Sequence, residues 1–106
     1  MSSADVIRQH IEIVEGARGP KARIAGSRIR VQDIVIWHEK LGLSPDEIVR
    51  DYPTITHADI YAALAYYWDH RDEIEQRIEE SEALAAEFRR VHPGPLAEKL
   101  GRDHRD

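Results

Sequence analysis

The sequence predicts a mainly α-helical protein with a small N-terminal β-hairpin, in which a helix-turn-helix-like core of three helices leads into a long C-terminal helix. Three observations predict this class. Residues 21–31 alternate apolar and basic side chains about a Gly-Ser pair, two strong helix-start signals follow at Ser44 and Thr56, and neither glycine nor proline occurs from His57 to His92. With 106 residues, the chain suits one compact domain and an extension.

The hairpin is predicted over residues 21–31, with Gly26 supplying the positive φ that a two-residue turn needs. Alternation gives one apolar face and one basic face. The apolar face carries Ala22, Ile24, Ile29 and Val31, and the basic face carries Lys21, Arg23, Arg28 and Arg30. Residues 1–20 are expected to be a flexible segment with room for one short strand of Ile11, Ile13 and Val14.

Arg23 lies directly opposite Arg30 in this register, and a like-charge cross-strand pair destabilises a hairpin unless something neutralises it. Two alternatives stay open at this stage. The basic face can bind an anionic partner such as the phosphates of DNA, or it can fold against the acidic body, for instance against Glu75, Glu79 or Glu82.

The first helix is predicted from about Gln32 to Leu41, with Gly42 in the left-handed conformation after its end. Ser44 begins the second helix as part of a Ser-x-x-Glu capping box, and Pro53 limits its length. Thr56 caps the third helix, with an acidic residue three positions later.

The apolar residues of the third helix are Ile60, Leu64, Tyr67, Ile74, Ile78, Ala85 and Phe88, and with Arg71 and Ser81 as polar interruptions they follow heptad-like steps of four and three. A continuous helix would be about 50 Å long at 1.5 Å per residue, and its second half would have to pack on another chain or lie in water. A break near residues 69–71 is the alternative. The predicted division is a flexible segment at 1–20, a core at 21–70, and a helical, partner-binding extension and tail at 71–106.

Composition and charge favour a binding protein of the cytoplasm. The chain has no cysteine, and its N-terminus lacks an apolar segment of signal-peptide length. Residues 1–31 carry six Lys or Arg against three acids, whereas residues 32–106 carry nine against seventeen. The six histidines show no metal-ligand spacing, and no nucleophile motif or phosphate loop occurs. We therefore expect no enzyme activity, no cofactor and no metal.

The second and third helices have the order and spacing of a helix-turn-helix. Base-reading residues of such a unit lie near the start of its second helix, which indicates Thr56, His57 and Tyr61. The alternative is a plain helical core, because none of the three is basic. The candidate DNA-binding set therefore joins these to the hairpin residues, as Arg23, Arg28, Arg30, Thr56, His57 and Tyr61.

Three ordered motifs carry a resemblance to a known family. They are the hairpin string of residues 23–34, the helix start and Asp-Tyr-Pro of residues 42–53, and the Ala-Leu-x-Tyr helix within residues 59–67. Together they resemble domain-of-unknown-function family 433 over roughly residues 18–70, with Ser27 where the family usually has threonine. The long helix beyond Arg71 lies outside the resemblance.

The resemblance implies a helix-turn-helix-like antitoxin that neutralises a PIN-like ribonuclease toxin and represses its own promoter by binding operator DNA. We expect a homodimer whose extension binds the toxin. An acidic helix can pair with a basic RNA-binding surface, and a tail arginine can reach the carboxylates that hold a nuclease's metal. The candidate toxin-binding residues are Phe88, Leu96, Leu100, Arg102 and Arg105. The alternative is a stand-alone DNA-binding regulator, or a dimerisation module, without a toxin.

Overall fold

A computed structural model describes residues 8–17 and 19–91 of the chain. Two antiparallel strands, β1 (Ile11–Val14) and β2 (Lys21–Ile24), precede four helices. These are α1 (Val31–Val35), which continues as a π-helical turn over Ile36–Lys40, then α2 (Pro45–Asp51), α3 (His57–Asp69) and α4 (Arg71–Val91). The predicted class, mainly α with an N-terminal hairpin and a long C-terminal helix, is confirmed. None of the helices in the described ranges is long and apolar enough to span a bilayer.

The two-stranded sheet pairs β2 with β1, whereas the sequence predicted that β2 would pair with residues 28–31. β2 pairs with β1 in the register Ile11↔Ile24 to Val14↔Lys21, so the partner of β2 lies in the segment expected to be flexible. The turn at Gly26 is confirmed, with φ of +75°, and Arg23 lies opposite Arg30 in an isolated bridge. The predicted second strand of the hairpin is limited to this bridge at Arg30, because Val31 is the fully buried first residue of α1.

The core lies between the hairpin and the helices. Its largest fully buried side chains are Ile24, Ile34, Ile48, Ile55, Ile60, Val31 and Val35. Burying each branched aliphatic side chain contributes roughly 1.5–3 kcal/mol relative to leaving it in water. The buried indole of Trp37 stacks on Tyr52 at 4.4 Å between ring centroids, which joins the π-helical turn to the end of α2.

Both predicted helix starts are confirmed in atomic detail. The Ser44 hydroxyl accepts a hydrogen bond from the Glu47 amide at 3.1 Å, and the Glu47 carboxylate accepts one from the Ser44 amide at 3.2 Å. Thr56 and Asp59 repeat this reciprocal arrangement at 3.1 and 2.9 Å. Each capping box supplies hydrogen-bond partners for amides at the helix start that have none within the helix. The starts of α2 and α3 are therefore set by side chains that lie next to them in the sequence.

The long apolar series does not form one continuous helix. The chain leaves helical geometry at His70, where φ is −129° and ψ is 38°, and α4 begins at the next residue. The His70 ring stacks on Tyr66 at 4.0 Å, and its amide donates to the carbonyls of Tyr66 and Tyr67. The break brings Ile74 and Ile78 into the core, at 4% and 2% exposure. The broken alternative is therefore the observed one.

Polar contacts tie the first three turns of α4 to the core. The buried Gln32 amide donates to the Ser81 hydroxyl at 2.8 Å. The Glu75 carboxylate accepts from the Tyr67 hydroxyl at 2.6 Å and from the Lys40 ammonium at 3.0 Å. After Ser81, residues 82–91 are exposed apart from Phe88 and extend the helix by about 15 Å. Packing on the core thus continues past residue 70 and ends near Ser81.

The Glu75 contacts predict a pH dependence of stability. The hydrogen bonds from Tyr67 and Lys40 hold the pKa of Glu75 below its ordinary value of 4.5. A lowered folded-state pKa stabilises the fold above the unfolded value, and this contribution is lost as the pH falls through the folded value. We expect Glu75→Gln to cost about 1 kcal/mol at pH 7, given its partial exposure, and to flatten the loss of stability below pH 4.5.

Thermal unfolding followed by circular dichroism from pH 3 to pH 8 measures this effect. Glu79→Gln is the matched control, since Glu79 is exposed on the same helix. Equal melting temperatures for the wild type and Glu75→Gln at pH 7 would contradict the assignment.

Candidate nucleic-acid interface

The basic side of the hairpin forms a shallow groove of about 190 Å³. Four cationic side chains and one carboxylate are among its lining residues, which are Val14, Glu15, Gly16, Lys21, Arg23, Arg28 and Arg30. The predicted basic face therefore exists as a concave surface, and β1 closes one side of it. Arg23 and Arg30 are each paired with a carboxylate outside this lining, so Lys21 and Arg28 supply the available positive charge of the groove, against Glu15. Such a surface attracts phosphate groups, even on a chain with net charge −5.

Arg23 is held by the neighbouring strand. Its Nε donates to Glu12 Oε1 at 2.7 Å, and the two residues are cross-strand partners. The same carboxylate oxygen accepts from the Gly26 amide at 3.3 Å. The arginine hydrogen bond first, and the Gly26 amide second, lower the pKa of Glu12. Glu12 therefore orients the Arg23 guanidinium and supports the turn at once.

Arg30 is held by the first turn of α1. Its guanidinium donates through Nη2 to Asp33 Oδ1 at 2.9 Å and through Nε to Oδ2 at 3.2 Å, which is the two-point geometry that fixes a guanidinium plane. Asp33 also accepts from the Arg30 amide at 3.0 Å and is 8% exposed. The facing arginines are thus neutralised by Glu12 and Asp33, and Glu75 binds Lys40 and Tyr67 instead.

Lys21 and Arg28 complete the groove differently. Within residues 8–17 and 19–91, neither side chain makes a hydrogen bond or an ion pair, and Arg28 is exposed. Two fixed guanidinium groups therefore stand beside two cations that are available to a ligand. This arrangement can bind a phosphate or a phosphodiester backbone, in which the available cations supply charge and the fixed ones supply position.

The start of α3 offers less to an anion than the sequence predicted. The Thr56 hydroxyl is used in its capping box, and His57 Nε2 lies 2.6 Å from Asp46 Oδ1. Asp59 lies beside them and contacts His10 at 2.7 Å. Tyr61 is 58% exposed and lies on the outer side of the helix. The structure thus groups Arg23, Arg28 and Arg30 in the groove, whereas Thr56, His57 and Tyr61 lie at a helix end that carries two carboxylates.

The predicted toxin-binding residues lie on the extension. Phe88 is half-buried within the projecting end of α4, and Leu96, Leu100, Arg102 and Arg105 lie outside the described residues. Exposed carboxylates follow the earlier turns of α4, at Asp72, Glu73, Glu79, Glu80 and Glu82. No group of three or more His, Asp or Glu side chains in the described ranges is arranged to hold a metal ion.

Sequence reasoning missed the anions that position the arginines. Glu12 alternates with Ile11 and Ile13 in a strand-like pattern, and this signal could have placed it opposite Arg23. Asp33 stands three residues after Arg30 at the start of α1, which is the spacing of a capping box.

The fold defines a small, mainly helical domain with an N-terminal hairpin and a long C-terminal helix. The sequence model of the family described as "Protein of unknown function (DUF433)" matches residues 11–67, and the chain belongs to this family. The crystal structure of a DUF433 member protein from Anabaena variabilis ATCC 29413 is similar, with 30% identity and a TM-score of 0.62 over 72% of this chain and 74% of that one. No curated protein matches the chain.

Proposed function

We propose that this protein is an antitoxin of a type II toxin-antitoxin pair, which binds operator DNA to regulate its own promoter and neutralises a PIN-like ribonuclease. It acts in the cytoplasm as a binding protein and needs no catalytic activity of its own. The observation that carries the proposal is the basic groove of Lys21, Arg23, Arg28 and Arg30 on an otherwise acidic chain.

In this proposal, DNA binding depends on phosphate contacts from the groove. Arg23 and Arg30 keep a fixed orientation through Glu12 and Asp33, so little side-chain freedom is lost on binding. The release of counterions from DNA supplies much of the affinity, which makes binding steeply dependent on salt. Sequence reading by Thr56, His57 and Tyr61 would require the α3 start to enter a groove of DNA with Asp46 and Asp59 beside it.

Toxin binding is assigned to α4 and the residues that follow it. The exposed carboxylates of α4 complement the basic surface with which a ribonuclease binds RNA, and residues 82–91 project beyond the core. The two activities therefore use different sets of residues. A second candidate function, a stand-alone regulator or dimerisation module without a toxin, is favoured by the exposed aromatic side chains of α3, Tyr61 and Trp68.

Deletion of residues 82–106 tests the assignment of both surfaces. We expect the shortened protein to bind its promoter DNA as the full chain does. It keeps the carboxylates of residues 72–80 but loses Phe88 and the tail, so we expect it to capture the ribonuclease encoded by the adjacent gene more weakly and to lose inhibition of that enzyme. Co-expression pull-down and an RNA-cleavage assay measure the second effect, and electrophoretic mobility shift measures the first. Full inhibition by the shortened protein, or failure of the full chain to capture the neighbouring product, would argue against the antitoxin assignment.

A further inference from the structure

The outer face of α3 carries large aromatic side chains and alanines over three turns, and it ends at the exposed Asp69. Tyr61 and Trp68 are 58% and 59% exposed, and they alternate with Ala58 and Ala65 on the same side of the helix, in the order Ala58, Tyr61, Ala65 and Trp68. Trp68 is held in place by an edge contact with Tyr67 at 5.0 Å and by Arg71 over its ring at 5.8 Å. Large aromatic side chains left in water and fixed by their neighbours are characteristic of interaction surfaces.

We propose that a second copy of this chain docks on this face, with the two α3 helices packed antiparallel about a twofold axis that crosses the helix at the level of residue 63, on the side opposite the buried Ala63 side chain. In that register, residues whose numbers add up to 126 face each other. Trp68 of one copy then lies over Ala58 of the other, and Tyr61 lies over Ala65. Each large side chain meets a small one, as helix packing requires, and the face complements itself as a twofold dimer demands.

Charge selects the same register. His57 at the start of α3 faces Asp69, the last residue of α3 in the second copy. Asp69 is exposed at its own helix C-terminus, where a negative charge is unfavourable, and the antiparallel arrangement sets it beside the positive N-terminal end of the other helix. Arg71, which lies over Trp68, also approaches Asp46, which binds His57 in the second copy. A parallel arrangement would instead set like ends together.

The proposal goes beyond the proposed function and does not depend on it, because it can be tested without DNA or toxin. In the dimer, Tyr61 and His57 contact the second copy and not the bases of DNA. DNA is then contacted by the hairpin groove of each copy. One helix pair covers a small area, near or below the roughly 1,200 Å² lower limit of standard interfaces, so we expect a dissociation constant in the micromolar range.

Sedimentation equilibrium of the full-length protein over a range of concentrations tests the interface, with Ala58→Glu as the disrupting variant. Ala58 is exposed near the helix start, so glutamate there is compatible with the fold. Its larger, charged side chain would occupy the position where Trp68 of the second copy packs. Ala86→Glu, the same change at an exposed alanine of α4, is the matched control. We expect Ala58→Glu to raise the dissociation constant at least tenfold at an unchanged melting temperature, and Ala86→Glu to leave it unchanged.

The register has its own test, because the chain contains no cysteine. Ala65→Cys should be cross-linked to a covalent dimer by a short bismaleimide, whereas Ala86→Cys should remain monomeric on a denaturing gel. A protein that stays monomeric up to millimolar concentration overturns the proposal. A dimer that Ala58→Glu does not weaken would also overturn it, and would point to α4 as the interface. Loss of DNA affinity in Ala58→Glu with the dimer intact would assign this face to DNA.

Discussion

Deleting residues 71–106 is expected to unfold the protein, whereas deleting residues 82–106 is expected to leave its melting temperature almost unchanged. The first three turns of α4 bury Ile74 and Ile78 in the core. Removing a buried isoleucine side chain costs about 2–5 kcal/mol, and a domain of this size has roughly 5–15 kcal/mol in all. The longer deletion also removes the Glu75 contacts to Lys40 and Tyr67.

Circular dichroism melting curves of the two deletion variants measure this difference. Ile78→Ala provides an independent check in the full-length chain, with Leu84→Ala as its control, because Leu84 is 45% exposed on the same helix. A cooperative transition near the wild-type melting temperature after deletion of residues 71–106 would show that the core ends at His70.

Replacing Lys21 and Arg28 together with glutamine is expected to abolish most DNA binding without loss of stability. Neither side chain has a hydrogen bond or ion pair with another described residue, so the fold loses no contact that the structure records. A hydrogen bond to a charged group contributes about 1.5–3 kcal/mol, which corresponds to roughly tenfold or more in affinity for each cation removed. Arg23 and Arg30 suit this test less well, because their removal would leave Glu12 and Asp33 without partners.

Mobility shift with promoter DNA measures the affinity, and thermal unfolding measures the stability. Arg89→Gln is the matched control, because Arg89 is exposed on α4 far along the chain from the hairpin. If Arg89→Gln weakens binding as much as the double variant does, the groove has no special role and the loss reflects net charge alone.

The sequence predicted the elements whose signals are local. Ser44 and Thr56 mark their helix starts by side chains that bond amides three residues away, and Gly26 marks its turn by backbone freedom. The basic face of the hairpin was likewise predictable, because alternation in a strand sets which side chains share a side.

The contacts that the sequence did not predict join residues far apart in the chain. A short strand at Ile11–Val14 was among the expectations, but its pairing with β2 was not, because the connection through Gly16 and Gly19 resembles a loop and carries no signal for a partner. The bond from Gln32 to Ser81 joins residues 49 positions apart, and no local pattern indicates it. The break at His70 was one of two alternatives, because the same apolar periodicity suits a continuous helix and a broken one whose second half packs on the core.

The salt dependence of promoter affinity is the most direct measurement of the central claim, that the hairpin groove binds the phosphates of DNA. We expect a steep linear fall of the logarithm of the binding constant with the logarithm of salt concentration. In the Lys21→Gln, Arg28→Gln double variant we expect a slope smaller by about two units, one for each lost phosphate contact, and in Arg89→Gln an unchanged slope. Equal slopes for the wild type and the double variant would contradict the claim.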